Sequence, residues 1–304
     1  MLRYEQLKNK PKLFKCLTGL TVEAFDKLLP AFKQAYQEDL KKREKQRGEP
    51  RQRRPGGGQK GSLATIEDKL VFILFYFRMY PVQMAQGFFF GMGQPQANEW
   101  IHRLTPILNQ ALGYEMQLPA REPKDIEQVL RECPGLEFII DGTERPIRRP
   151  KDKNRQRENY SGKKKRHTRK NNVIRPKSIR KIKGLSPTVE GKRHDKKLAD
   201  DQKLNFPPGS KLWQDTGYQG YAPLGVEIFQ PTKKPKGRDL TPEERAINVT
   251  ISSQRIGIEH SIGGVKVFRI VHDVFRNTRP GFDDLVMETA CGLHNLRVDY
   301  PLAA

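Results

Sequence analysis

The chain has 304 residues, with 57 Lys and Arg against 35 Asp and Glu, a formal charge of +22 and an isoelectric point near 9.9. That balance favours a polyanionic partner, nucleic acid foremost, although an RNA-binding protein would carry the same sign. Its three cysteines, Cys16, Cys133 and Cys291, lie far apart with no CxxC pair, which excludes a disulfide framework, weighs against structural zinc and points to a reducing compartment.

From Thr21, the segment "TVEAFDKLLPAFKQAYQEDLKKREKQ" has apolar residues at helical spacing. It predicts a helix, or a helix pair broken near Pro30, within an N-terminal helical segment over residues 1–50. Residues 51–61 are rich in arginine and glycine, the composition of a linker that is either merely solvated or able to follow a phosphate backbone.

Three helical segments follow between residues 62 and 115, namely "LATIEDKLVFILFYFRMY", "PVQMAQGFFF" and "QPQANEWIHRLTPILNQAL", with the turn "GMG" before the third. This is the order of a helix-turn-helix, although a plain helical bundle has the same pattern. In a helix-turn-helix the third helix would offer Gln94, Gln96, Asn98 and Arg103 to a DNA groove, with Trp100, Ile101, Leu104 and Ile107 towards the core. The longest apolar run of the chain, Leu70 to Phe77, is too short to cross a bilayer, and the first residues hold no apolar signal core. A soluble cytoplasmic protein with no membrane partner is therefore expected.

Past residue 136 the pattern changes to short β-like runs, "LEFIID", "NNVIRP", "LSPTVEG", "KLWQD" and "VEIFQP". A helix then opens at Thr241, where Thr241, Pro242 and Glu244 suit an N-cap, an N1 proline and a capping box. Strands followed by a helix predict an α/β domain over residues 136–300.

Three carboxylates punctuate this domain. Asp141 ends "LEFIID", Asp215 ends "SKLWQD" 74 residues later, and Glu259 lies in the helix another 44 residues on. Each has an ordinary explanation, since Asp after a strand often forms a turn or caps a helix and a helical Glu is usually solvated. Gathered together, however, they would repel one another and call for hard cations, of which Mg²⁺ suits oxygen ligands and leaves places for water and phosphate. At about 100° per residue, Arg255, Glu259 and Lys266 share one helix face. That arrangement serves equally as an i, i+4 ion pair or as a metal ligand with neighbours that grip phosphate.

The motifs "DGTERPI", "YSGKKKRHT", "LSPTVEGKRHDKKLAD", "WQDTGYQGY", "QPTKKPKG", "RIGIEHSIGGVK" and "CGLHNLR" together resemble the DDE transposases of bacterial insertion sequence family five, relatives of the Harbinger nucleases. The resemblance runs in order from about Ser62 to Arg297. It implies a ribonuclease H-like catalytic fold, a mixed sheet flanked by helices, behind an all-α helix-turn-helix. It also implies Mg²⁺-dependent cleavage and strand transfer at terminal inverted repeats, with Asp141, Asp215 and Glu259 as the catalytic, metal-binding triad. Two ions per site are implied, with Mn²⁺ able to substitute.

Within a related signature Arg255, Glu259 and Lys266 keep the family's spacing, while Ser252 stands at its tyrosine position. The implied partners are double-stranded DNA, both repeat and target, and a second copy of the chain in a dimer or larger synaptic assembly near the bacterial nucleoid. Two rivals share the motifs: a transposase-derived DNA-binding protein without catalysis, and a structure-selective nuclease.

Residues 151–183 hold fifteen Lys or Arg and two acids, either a disordered basic loop or a clamp on the DNA backbone. Lys163, Lys164, Lys165 and Arg166 would make the clamp, with Tyr160 free to stack on a base. Asp195, in "GKRHD", competes with Asp215 for the second metal position, but the stronger strand precedes Asp215.

Overall fold

The structure, a computed structural model, describes residues 1–46 and 61–301. The basic linker expected at 51–61 lies outside the described residues except for its last position. In chain order the first helices are α1 (Tyr4–Leu7), α2 (Pro11–Thr18), α3 (Val22–Gln46), α4 (Ile66–Met79), α5 (Gln83–Phe90), α6 (Gln94–Tyr114) and α7 (Pro123–Arg131). Then come β1 (Glu137–Pro146), α8 (Lys153–Asn159), β2 (Tyr160–Ser161), β3 (Arg166–Pro176), β4 (Gly184–Leu185), β5 (Val189–Glu190), α9 (Asp195–Gln202), β6 (Lys211–Trp213) and β7 (Glu227–Phe229). The chain closes with α10 (Pro242–Lys266), α11 (Arg269–His272) and α12 (Phe282–Asp299). No helix among the described residues is long and apolar enough to cross a membrane.

The described residues form two compact units. The first comprises residues 1–118, 266–272 and those from Leu285 onward; the second comprises residues 119–265 and 273–284. In the first, α3 runs unbroken through Pro30, unlike the predicted break. One lost backbone hydrogen bond there is offset by a continuous buried stripe, Ala24, Phe25, Leu28, Ala31, Phe32 and Ala35. Helix α4 starts at Thr65, whose side chain accepts the Asp68 N–H, and is buried from Asp68 to Phe77. Gly91 ends α5 in the left-handed conformation at φ 66°, which frees the chain to enter α6 at Gln94, three residues later.

The second unit is built on a mixed sheet in the order β2-β3-β1-β6-β7, with β4 and β5 on β3. β1 is antiparallel to β3 and parallel to β6, and β6 is parallel to β7. The β1 strand does not end at Asp141 as predicted. It continues through "GTERP" because nine residues, Phe138 to Pro146, pair across to β3, and that ladder overrides the weak strand preference of glycine and glutamate. Phe138 and Ile140 join Ile174, Leu212, Tyr218 and Phe206 in the core, while Ile139 is buried on the opposite face. A strand buried on both sides reads as an uninterrupted apolar run. The capping box of α10 forms as predicted: the Thr241 N–H donates to Glu244 Oε2 at 2.9 Å and the Glu244 N–H to Thr241 Oγ1 at 3.2 Å. The architecture is the α/β, ribonuclease H-like one, preceded by helices.

Candidate active site

Sheet register brings the first two aspartates together. In the parallel pair β1 and β6, Ile139 stands opposite Trp213, and Asp141 and Asp215 each lie two residues further on. Asp141, midway along β1, and Asp215, just past the end of β6, are therefore brought beside each other where the parallel pairing of the two strands stops. Asp141 has a side chain only 17% exposed, and Arg255 of α10 stands 3.5 Å from its Oδ1. The Gly142 N–H donates to that same oxygen at 2.8 Å. Burial pushes the Asp141 carboxyl up to about 6, against the pull of Arg255, and the charges of Asp215 and Asp195 raise it further. Asp215 caps the turn 216–218 by accepting the Gly217 N–H at 2.7 Å, and its main-chain oxygen accepts from Gln230 Nε2 at 2.6 Å.

Asp195, the first residue of α9, packs against β1 beside Asp141 and against the turn that follows Asp215. A Cβ placed on Gly142 would lie 2.6 Å from Asp195 Oδ1, and one placed on Gly217 would lie 3.0 Å from Asp195 Oδ2. The glycines that follow Asp141 and Asp215 thus leave the room that the Asp195 carboxylate fills. Its Oδ1 is buried and has no hydrogen-bond partner. The Lys170 ammonium is 3.0 Å away as an ion pair, but outside hydrogen-bond alignment.

Glu259 is exposed on α10 one turn beyond Arg255, so it shares the helix face that reaches Asp141 without being buried there. Lys266 is the last residue of that helix. Lys163, Lys164, Lys165 and Arg166 are exposed around the turn that joins β2 to β3. Beside the aspartates opens a cleft of about 1030 Å³. Asp195, Asp215 and Thr216 line it together with Arg149, Arg157, Lys163, Lys192, Arg193 and Lys233.

In the helical unit, Gln94 and Gln96 are exposed at the start of α6. Gln94 donates to Gln83, which in turn donates to Asn98 at 2.7 Å. Arg103 lies folded onto α3, 2.7 Å from Asp39 and over the rings of Tyr36 and Trp100. Ile101, Leu104 and Ile107 are buried as predicted, but Trp100 only half so.

The family described as DDE superfamily endonuclease matches residues 140–295. The chain belongs to this family. Residues 61–113 match the helix-turn-helix of DDE superfamily endonucleases, so the region is a helix-turn-helix and not a plain bundle. The chain is also 27% identical over 284 residues, 93% of each protein, to a probable transposase for insertion sequence element IS702 from Microchaete diplosiphon. No solved structure matches it.

Nucleases of this superfamily use divalent cations, and the residues of this endonuclease fit one. The donors are carboxylates, the Asp141 carboxyl is raised by burial and then by the charges of Asp215 and Asp195, and Asp195 Oδ1 is buried with no hydrogen bond beyond its ion pair with Lys170. Among the described residues no three His, Cys, Asp or Glu side chains stand together as a group that could hold a metal ion.

Several supporting residues of the endonuclease escaped the sequence reading. Lys170 is buried on β3, donates to the Arg193 carbonyl at 2.8 Å and stands 3.6 Å from Glu144. Tyr218, fully buried, donates to Asn172 Oδ1 at 2.9 Å, and Asn172 Nδ2 donates to the Asp195 carbonyl at 3.2 Å. The Asp215 turn, β3 and the start of α9 are thereby tied through one asparagine. The available signal was "KNN", three polar residues inside a strand-like run, which a two-faced buried strand tolerates only when each finds partners. Tyr218→Phe leaves Asn172 Oδ1 without its donor, so urea unfolding should show a loss of about 1–2 kcal/mol. An unchanged midpoint and slope would mean that the bond carries no net stability.

Proposed function

We propose that the chain is a transposase, which binds the terminal inverted repeats of its element and catalyses cleavage and strand transfer of DNA. One observation carries this reading: Asp215, which the pairing of β6 with β1 sets beside Asp141, lines with Asp195 a cleft of basic side chains. Asp141, Asp215 and Glu259 would be the catalytic carboxylates, with Asp195 packed between the first two. They would hold Mg²⁺, two ions per site with Mn²⁺ able to replace them. The bound cations supply charge stabilisation at the phosphoryl oxygens of an in-line displacement.

This chain's own residues do the rest. Arg255 opposes the rise in the Asp141 carboxyl and keeps it available as an anion. Arg149, Arg157, Lys163, Lys192 and Lys233 hold the DNA backbone along the cleft, Lys164, Lys165 and Arg166 extend that basic surface, and Lys266 contributes a further contact to DNA. Water and then a strand's 3′-hydroxyl are the nucleophiles, so no serine or tyrosine ester forms. Gln94, Gln96 and Asn98, at the start of α6, read the repeat; Arg103 supports that helix through Asp39 instead. Two ends must meet in one event, so the working unit is a dimer or larger assembly.

The test compares DNA ending in the inverted repeats that flank the reading frame with the same DNA scrambled at those ends, each with Mg²⁺ and a target plasmid. Repeat-ended DNA should be nicked at the terminus and joined to the target, and Asp215→Asn should abolish both reactions. Equal cutting of scrambled ends would replace this reading with a structure-selective nuclease. Binding without cutting would replace it with a binding protein.

A further inference from the structure

The cleft beside Asp195 and Asp215 also has an aromatic wall. Tyr160 and His167 are directly opposed across the β2–β3 pair, so their side chains leave the same face. Both line the cleft. Their ring centroids are 5.7 Å apart at 72°, edge to face, and Tyr160 is 43% exposed. A large ring left open to water inside a basic cleft adds nothing to the binding of phosphate, for which ammonium and guanidinium groups suffice.

The base of this wall is well held. Ser161 is buried and its Oγ accepts the Lys164 N–H at 3.2 Å, which closes the turn after Tyr160. On the other side, the Gly191 N–H donates to the Thr168 carbonyl at 2.9 Å and the Lys192 N–H to the Glu158 carbonyl at 3.1 Å. A Cβ on Gly191 would overlap Thr168 Oγ1, so the two backbones are in direct contact. The rings thus stand on a fixed support while their outer surface stays open.

An exposed aromatic surface among cations suits one chemistry in particular, a planar base attached to a phosphate chain. Bases of an intact duplex are stacked on each other and offer no free face, so the matching ligand is a nucleotide without its pairing partner. We propose that Tyr160 and His167 form a stacking platform for one unpaired nucleotide at an opened strand end, within reach of the carboxylates at the other side of the same cleft. The proposal rests on the reading that this cleft holds DNA, and it assigns that cleft a preference for frayed over fully paired ends.

The test uses the full chain and two otherwise identical duplexes, one fully paired and one with its last two nucleotides mismatched, each carrying 2-aminopurine at the terminal position. Wild-type protein should bind the frayed end about tenfold more tightly and change the 2-aminopurine fluorescence on binding. Tyr160→Ala should reduce both the preference and the fluorescence change, His167→Ala should do so in part, and Tyr160→Trp should keep them. Equal affinity of the wild type for the two duplexes, or a preference that survives both alanine substitutions, overturns the platform while leaving DNA binding in place. Failure to bind either duplex overturns the DNA reading, and the platform with it. Should Tyr160→Ala misfold, His167→Ala and Tyr160→Trp still decide the matter.

Discussion

Asp141→Asn should make the metal-free protein more stable and inactive at once. The Asp141 carboxyl, ordinarily near 3.8, is pushed up to about 6 in the fold, chiefly by burial. Between those two values the folded protein holds a proton that the unfolded chain has released. Stability therefore falls as pH rises from about 4 to about 6, and the full cost of the buried anion is present above that window. A separation of about two pH units corresponds to an upper limit of about 3 kcal/mol.

Removing the charge also leaves Arg255 without its partner, so the expected gain is about 1–2 kcal/mol, or about 2–6 °C in melting temperature at pH 7.5. The gain should shrink at pH 4, where the folded Asp141 carboxyl is neutral, as the amide of the variant is at every pH. Mg²⁺ should raise the melting temperature of the wild type and leave the variant unmoved, and DNA cleavage should drop by about a thousandfold or more. A variant less stable than wild type at pH 7.5 without metal would mean that Asp141 is satisfied by Arg255 alone, and that no cation is needed to explain the site.

What the sequence revealed divides by the range of the interactions. The capping box at Thr241 and Glu244 and the helices from Ile66 to Tyr114 are local, set by residues three or four apart, and they form as read. Asp141 and Asp215 were visible as acids closing apolar runs, but what makes them neighbours is the pairing of Ile139 with Trp213, residues far apart in sequence. The length of β1 was hidden for the same reason. Gly142, Thr143 and Glu144 look like a turn until β3 supplies Asn172, Asn171 and Lys170 opposite them.

Arg103 has the position of a base reader on a recognition helix, yet Asp39, on α3, holds it. Asp195 looked redundant beside a complete triad, because nothing in "GKRHD" announces that two distant glycines leave room for its carboxylate. Glu259 lies one turn from Arg255 as its spacing requires, but exposure is a tertiary property, and periodicity along α10 does not report it.

Gly142→Ala tests whether that room matters. The new methyl group would stand 2.6 Å from Asp195 Oδ1 and 3.0 Å from its Cγ, so the Asp195 side chain must swing away. The rest of the fold has no such conflict, since the first contacts the methyl meets all belong to Asp195. The expected result is a melting temperature within about 3 °C of wild type and a loss of DNA cleavage of about a hundredfold, the scale on which a displacement of about 1 Å acts at a reacting centre.

The same loss would follow if the alanine disturbed Asp141, its immediate neighbour, and a double-substitution cycle separates the two. With Asp195→Ala already in place the methyl has free space, so adding Gly142→Ala should cost less than about twofold more. If the two losses instead multiply, the methyl acts through Asp141, and the close seat of Asp195 between β1 and the Asp215 turn is packing without a part in the chemistry.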